Sequence, residues 1–177
     1  MVIIKLYFHF ICIIKKLIYK LLYGSKFHFS WDLSFRKGFC LAIFGEGEVK
    51  IARNVFFNNY SSVSAMNYIS VGEGTIFGEN VRLYDHNHIY LNPDLPIKQQ
   101  GYTSAPIYIG KHCWIGSNVT ILKGVTIGDG SIVGYRATVT KSLPESNCLI
   151  VGFPAKVVQN NVDWGKYRPE LEKSIKQ

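Results

Sequence analysis

Hydrophobic positions along this chain recur every six residues. Ile109, Ile115, Ile121, Ile127, Val133 and Val139 each open a six-residue unit. Glycine follows the opening residue at Gly110, Gly116, Gly128 and Gly134, and the fifth place is small or β-branched at Cys113, Val119, Val125, Ser131 and Ala137. This period fits neither a helix at 3.6 nor a simple strand at 2, but it is a multiple of 2. Short strands joined by turns put every leading Ile or Val inward. The glycine behind it permits a bend that bulkier residues resist. A fixed period of this kind predicts a β-helix, whose stacked coils share one continuous core. A β-sandwich is the alternative, but its strands recur at a wider spacing of about 8–12 residues.

A weaker form of the pattern runs upstream. Ile51, Phe57 and Val63 keep the period, as do Val71, Phe77 and Leu83, with a slip of two residues between the sets. The register is lost between Leu83 and Ile109. Asn92-Pro93-Asp94-Leu95-Pro96 and Gln99-Gln100-Gly101 carry turn residues, so residues 89–106 are expected to be a loop thrown out of the β-helix. Residues 1–23 are strongly apolar but interrupted by Lys5, His9, Lys15, Lys16 and Lys20. No uncharged run reaches the ~18–20 residues of a membrane span. On a helix, Lys5, His9, Lys16 and Lys20 share one stripe, with apolar residues around the rest. That face has two expected destinations, a membrane interface or the body of the protein or its neighbour. The expected organisation is an amphipathic helix at 1–24, a β-helix domain at 25–160, and a short helical tail at 161–177.

Lys plus Arg number 20 against 12 Asp plus Glu, a net charge of +8. A basic surface suits anionic partners. The basic residues are dispersed and no nucleic-acid module is visible, so nucleic acid is not an expected partner. The cysteines at 12, 40, 113 and 148 form no CxxC pair. That argues against disulfides and a zinc cluster and for a reduced, cytoplasmic setting. Cys113 occupies a small-residue place in the repeat and reads as core filler.

Several motifs carry a resemblance. Ile109-Gly110, Trp114-Ile115-Gly116-Ser117-Asn118-Val119, Gly124-Val125-Thr126-Ile127-Gly128, Val139-Thr140-Lys141 and Gly152-Phe153-Pro154-Ala155-Lys156 resemble the hexapeptide-repeat acyltransferases. Within them the chain is most similar to the galactoside/maltose acetyltransferase-like and polysaccharide O-acetyltransferase branch. The likeness covers roughly residues 45–160. It implies an all-β fold, a left-handed parallel β-helix, a homotrimer, and acetyl-CoA as the acetyl donor. It also implies site residues. Asp85-His86-Asn87-His88 resembles the segment holding the catalytic base, which maps to His86. Asn58 matches an active-site asparagine. Trp114, Ser117, Tyr135, Thr140, Lys141 and Lys156 match the coenzyme A groove, the two lysines at its phosphates. Gly134-Tyr135-Arg136 departs from the family, which has a small residue where Tyr135 stands.

The residues themselves leave other readings open. His86, His88 and Asp85 look superficially like metal ligands, as in a zinc hydratase of the same fold. However, the histidines are two apart and no third ligand cluster is nearby; no metal is expected. In an extended segment Asp85 should point away from His86, which leaves the orienting partner of His86 open, a backbone carbonyl being one option. Tyr90, Gln99, Gln100 and Tyr102 are placed to touch a sugar, or to clamp a neighbouring subunit.

The resulting expectation is an acetyl-CoA-dependent O-acetyltransferase acting on a sugar hydroxyl of a bacterial surface polysaccharide or its precursor. It would work in the cytoplasm, at the inner face of the membrane if residues 1–23 touch lipid. The alternatives are a small-molecule acetyltransferase (free sugar, xenobiotic, serine or nucleotide-sugar amine) and a non-catalytic β-helix scaffold. The chemistry is simple to state. An alcohol must lose its proton as it attacks, and imidazole, with an unperturbed pKa of about 6.5, suits that task. An oxyanion then needs a donor facing it.

Overall fold

The computed structural model describes residues 2–163, with side chains at 7 and from 9 onward. From residue 164 on, the expected helical tail lies outside the described residues. Three parallel sheets wrap one core. The first holds Phe27–Phe29, Glu48–Ile51, Tyr68–Val71, Ile107–Ile109 and Thr126–Ile127. The second holds Ser34–Phe35, Phe56–Phe57, Ile76–Phe77, Trp114–Ile115, Ile132–Val133 and Leu149–Gly152, closed by the antiparallel Ala155–Gln159. The third holds Cys40–Ile43, Ser62–Ala65, Arg82–Tyr84, Thr120–Leu122 and Thr138–Val139. The chain visits the sheets in turn, which is the path of a β-helix.

The leading residues of every unit point inward as the period requires. Phe35, Phe57, Phe77, Ile115 and Val133 follow one another in register up the second sheet, and all are buried. At the N-terminal end the column is aromatic, with Phe57 and Phe77 stacked at 4.2 Å and 8°. Cys113 sits among them at 1% exposure, and burial pushes its thiol pKa up.

The glycines work differently from the expected bend. Gly72 and Gly116 do not adopt positive φ. A Cβ on Gly72 would lie 2.5 Å from the Gly110 carbonyl, and one on Gly116 would lie 2.9 Å from the Tyr135 amide nitrogen. These positions demand room for the next coil's backbone. The bends fall elsewhere, at corner residues such as Asn80, Asn118 and Arg136, whose φ values are 55°, 60° and 61°.

Helix α1 (Val2–Tyr23) covers the open end of the first coil. Backbone N–H groups of each coil donate to carbonyls of the next, as Arg36 does to Phe57. The carbonyls of the first coil therefore face outward with no preceding coil to donate to them. Side chains of α1 supply the donors. Lys16 Nζ reaches the Trp31 and Leu33 carbonyls at 2.6 and 3.1 Å, and Lys15 Nζ reaches Phe39 O at 3.1 Å. Tyr19 and Tyr23 donate to Phe39 O and Leu41 O, and Lys20 to Phe27 O. Lys16 and Lys20, which the spacing puts on one stripe, face the body of the protein. The outer surface of α1 is instead apolar, with Tyr7, Phe10, Leu17, Ile18, Leu21 and Leu22 exposed. Among the described residues no helix is long and apolar enough to cross a membrane.

Candidate active site

The third corner of the coil, between the third and first sheets, is where the chain departs from the regular period. In the second coil the corner holds two extra residues, Met66 and Asn67, between Ser62–Ala65 and Tyr68–Val71. These are the two-residue slip of the sequence. In the third coil the corner opens into an excursion. It starts at His86, earlier than the expected 89, and its root is a two-stranded ribbon. His86–His88 pairs antiparallel with Tyr102–Ser104, which sets His86 opposite Ser104. The ribbon re-enters the coil through the Ala105 amide, which donates to Asp85 O at 2.9 Å.

Asp85 lies at the pivot, and its placement overturns the expectation that it points away from His86. The chain bends between Arg82–Tyr84 and His86–His88, so the alternation of an extended segment does not carry through. The Asp85 carboxylate is fully buried. Its Oδ1 accepts from Met66 N at 2.8 Å and its Oδ2 from Asn67 N at 2.7 Å. His86 Nδ1 lies 2.9 Å from Asp85 Oδ1, and the imidazole is 14% exposed. A carboxylate at this distance accepts a hydrogen bond from Nδ1–H, which keeps the proton on Nδ1 and leaves the Nε2 lone pair free. Asp85 is the site residue that sequence reasoning missed. Its signal was the slip at Met66-Asn67, which supplies the two amides that hold it.

Two aromatic rings flank the imidazole edge-on. Phe44 stands 6.1 Å from it and Tyr102 stands 5.8 Å from it, while His88 packs on Tyr102 at 4.4 Å. Phe44 and Tyr102 are both about half exposed, so the cleft opens to solvent. Of the loop residues considered for sugar contact, Tyr102 reaches His86 and Tyr90 is exposed close by. Gln100 instead spans the loop, bonding Asn92 and Leu95, and Gln99 sits with it in a separate hollow toward the tip.

The remaining candidates sort onto two edges of the prism. Thr140 and Lys141 follow Thr138–Val139 on the same edge as His86, further along the stack. Lys141 and Lys156 line one cavity of about 630 Å³ together with Ser142 and Asn160. Asn58, Ser117 and Tyr135 occupy the other edge, between the second and third sheets, and Trp114 stands exposed on the second sheet leading to it. Arg136 N donates to Ser117 O across adjacent coils of that edge. Ser117 Oγ accepts from Glu79 N at 3.0 Å. Asn58 Oδ1 accepts from Asn59 N at 2.8 Å, so the Nδ2 end of its amide is the one left to donate. Within one chain, therefore, Asn58 and His86 stand on different edges. Among the described residues no group of three His, Cys, Asp or Glu is arranged to hold a metal.

Known proteins resemble this chain in sequence and fold. Residues 106–141 match the family model described as bacterial transferase hexapeptide (six repeats). A putative lipopolysaccharide biosynthesis O-acetyl transferase of Escherichia coli K12 is 33% identical over 129 residues, covering 69% of this chain and 65% of its own length. The chain thus spans slightly under two thirds of that relative. A putative colanic acid biosynthesis acetyltransferase of Escherichia coli K12 is 32% identical over 142 residues, covering 72% of this chain and 76% of its own length. A hexapeptide-repeat-containing acetyltransferase from Vibrio cholerae O1 biovar eltor, crystallised with acetyl coenzyme A, superimposes with a TM-score of 0.69. It is 26% identical, over 84% of this chain and 76% of that one. On the repeat, the stacked parallel sheets and these likenesses, the chain belongs to the hexapeptide-repeat acetyltransferases.

Proposed function

We propose that this protein transfers an acetyl group from acetyl-CoA to a sugar hydroxyl of a bacterial surface polysaccharide or its precursor. The observation that carries the reading is the Asp85–His86 pair at the mouth of an aromatic cleft. His86 Nε2 takes the proton of the acceptor hydroxyl as its oxygen attacks the thioester carbon. Asp85 stabilises the imidazolium that forms. Asn58 Nδ2 donates to the oxyanion. The imidazolium then returns its proton to the departing thiolate. Lys141 and Lys156 hold the phosphates of acetyl-CoA in their shared cavity. Coils stack at about 4.8 Å, so the corner at Lys141, two coils on, is ~10 Å from His86 along the edge. The pantetheine arm can span that distance. The neighbours' names support the donor and acceptor class: one was crystallised with acetyl coenzyme A, and two are named for polysaccharide biosynthesis.

A complete site needs both edges, and one chain holds them apart. This supports a homotrimer in which His86, Thr140, Lys141 and Lys156 of one copy face Asn58, Trp114, Ser117 and Tyr135 of the next. Mixed trimers test it, with acetyl-CoA-dependent thiol release against oligosaccharide acceptors as the readout. His86→Ala and Asn58→Ala should each be nearly inactive alone. Unfolded and refolded together, they should recover activity far above the sum of the parents, because some interfaces then carry both native residues. A mixture no better than its parents would place both residues in one chain's site. Failure of the unmutated protein to bind acetyl-CoA would favour the scaffold reading.

The apolar outer face of α1 supports a peripheral contact with the membrane where such polymers are assembled. Leu17 and Leu21 are 52% and 86% exposed. Leu17→Glu with Leu21→Glu should therefore release the protein from sedimenting anionic vesicles without lowering its melting temperature. If the unmutated protein stays in the supernatant, the face is not a lipid contact.

A further inference from the structure

The excursion ribbon divides the edge that carries His86 into two sides. Opposed residues of a ribbon share a face. His86, His88, Tyr102 and Ser104 therefore lie on one side, and Asn87 and Thr103 on the other. The first side looks toward the start of the stack: His86 meets Phe44 of the first coil, and Ser104 Oγ accepts from Asn67 Nδ2 of the second. The other side looks toward the far end, where Thr103 meets Lys123 of the fourth coil and Lys141 follows in the fifth. In the proposed mechanism acetyl-CoA is held at Lys141 and Lys156, so it comes to the ribbon from the far end. The acceptor cleft opens toward α1.

The end of α1 stands on this same edge. Gly24–Lys26 joins the helix to the first sheet in the place that a preceding corner would occupy, and Lys26 Nζ donates to Gly45 O of the corner above. Leu21 and Leu22 come just before, and both are exposed. The successive levels of the edge are the end of α1, Phe44, Met66-Asn67 and His86. That is three coil steps, or ~14 Å. Charge marks the same end. Residues 2–39 hold seven of the 20 Lys and Arg but only one of the 12 Asp and Glu, so they carry +6 of the net +8. Trp31 is exposed in the first coil, a residue type favoured at the headgroup boundary. An apolar face over a basic layer suits an anionic lipid surface.

We infer that the acceptor is a lipid-linked oligosaccharide, presented to His86 from a membrane on which the apolar face of α1 lies. The inference rests on the proposed sugar O-acetylation and narrows its substrate. The chemistry is unchanged: the thioester C–S bond breaks, the ester C–O bond forms, and the hydroxyl proton ends on the thiol. With the threefold axis of the proposed trimer along the stack, three α1 faces and three clefts meet one surface, and acetyl-CoA enters from the aqueous end. His86 Nε2 then stands on the order of 20 Å from the hydrocarbon, the helix width plus three coil steps less the depth to which the helix sinks. A few sugars on a phosphate-linked lipid span that distance, whereas a free monosaccharide gains nothing from α1.

The test gives the full chain radiolabelled acetyl-CoA with membranes, or with soluble extract, of the cell that encodes it. Organic extraction then separates lipid-linked from water-soluble glycans, and His86→Ala sets the background. Label should enter the lipid extract of the membranes, and mild acid, which cleaves a sugar–phosphate linkage, should move it into water. Leu17→Glu with Leu21→Glu should label intact membranes at least about tenfold more slowly, the modest end of what confinement to one surface supplies. The same variant should match the unmutated rate once detergent dissolves the membranes, which separates lost docking from lost folding. Label confined to water-soluble glycans, or equal labelling of intact membranes by the variant, overturns the inference and leaves the proposed O-acetylation standing. Label in neither fraction sinks the O-acetylation itself, and the inference with it.

Discussion

Replacing Asp85 by Asn should lower kcat for acetyl transfer by between about 10²-fold and 10⁴-fold, with the KM for acetyl-CoA changed only a few-fold. The carboxylate accepts three hydrogen bonds, from Met66 N, Asn67 N and His86 Nδ1. An amide in its place has one accepting atom and one donating group. If its oxygen stays on Asn67 N, its NH₂ takes the Oδ1 place and faces His86 Nδ1, as well as the Met66 N–H, which loses its acceptor. The ring then holds its proton on Nε2, the atom that must receive one from the acceptor. The substituted chain keeps the cleft, the coenzyme cavity and nearly the same volume, so binding survives while proton transfer fails. His86→Ala should fall in the same range. The double variant Asp85→Asn/His86→Ala should be no worse than His86→Ala alone, since Asp85 acts through the ring it orients. Nitrogen NMR of the imidazole gives an independent readout, with the Nε2–H tautomer dominant in Asp85→Asn. A kcat within threefold of the unmutated protein would remove Asp85 from the proton path.

The coil was legible because its period is strict. Each leading residue from Ile109 to Val139 is buried, as the six-residue spacing requires, and the slip upstream marked a real irregularity. What the slip was for could not be read, since Met66 and Asn67 act through their backbone amides, and an amide is the same in every residue but proline. Asp85 was misjudged for a related reason. Alternation along a strand predicts direction only while the strand continues, and the bend that turns Asp85 toward His86 is made by the ribbon beyond it. In α1 the lysine stripe left open which face of the helix meets the body. Lys15, Lys16 and Lys20 face inward because the open end of a β-helix presents a row of carbonyls that only donors can satisfy. That row is a property of the stacked coils and is invisible in the helix's own sequence. The hexad also says nothing of how the edges combine, so the separation of Asn58 from His86 emerged only from the fold.

The second large effect concerns stability. Phe57→Ala should cost about 3–5 kcal/mol, the range for emptying a buried aromatic site. Phe57 is fully buried, stacks on Phe77 at 4.2 Å, and meets Phe39 at 4.9 Å. It joins the second coil to the first and, through Phe39, to Tyr19 of the capping helix, whose ring lies 6.3 Å from Phe39. The neighbouring rings are held by backbone paired in register on both sides, so they cannot collapse into the space. A solenoid transmits stability between adjacent coils only, so the loss should be uneven. Amides of the first coil and α1 should gain hydrogen exchange at low urea, before the region from Ile107 onward unfolds. Phe57→Leu, which keeps much of the volume, should cost less than half as much. Ile76→Ala is the comparison on the same sheet: its side chain points outward at 44% exposure, and its cost should stay within about 1 kcal/mol. Uniform unfolding of all coils in Phe57→Ala, at an unchanged urea midpoint, would mean that the aromatic column carries no such coupling and that α1 is held by its lysine and tyrosine hydrogen bonds alone.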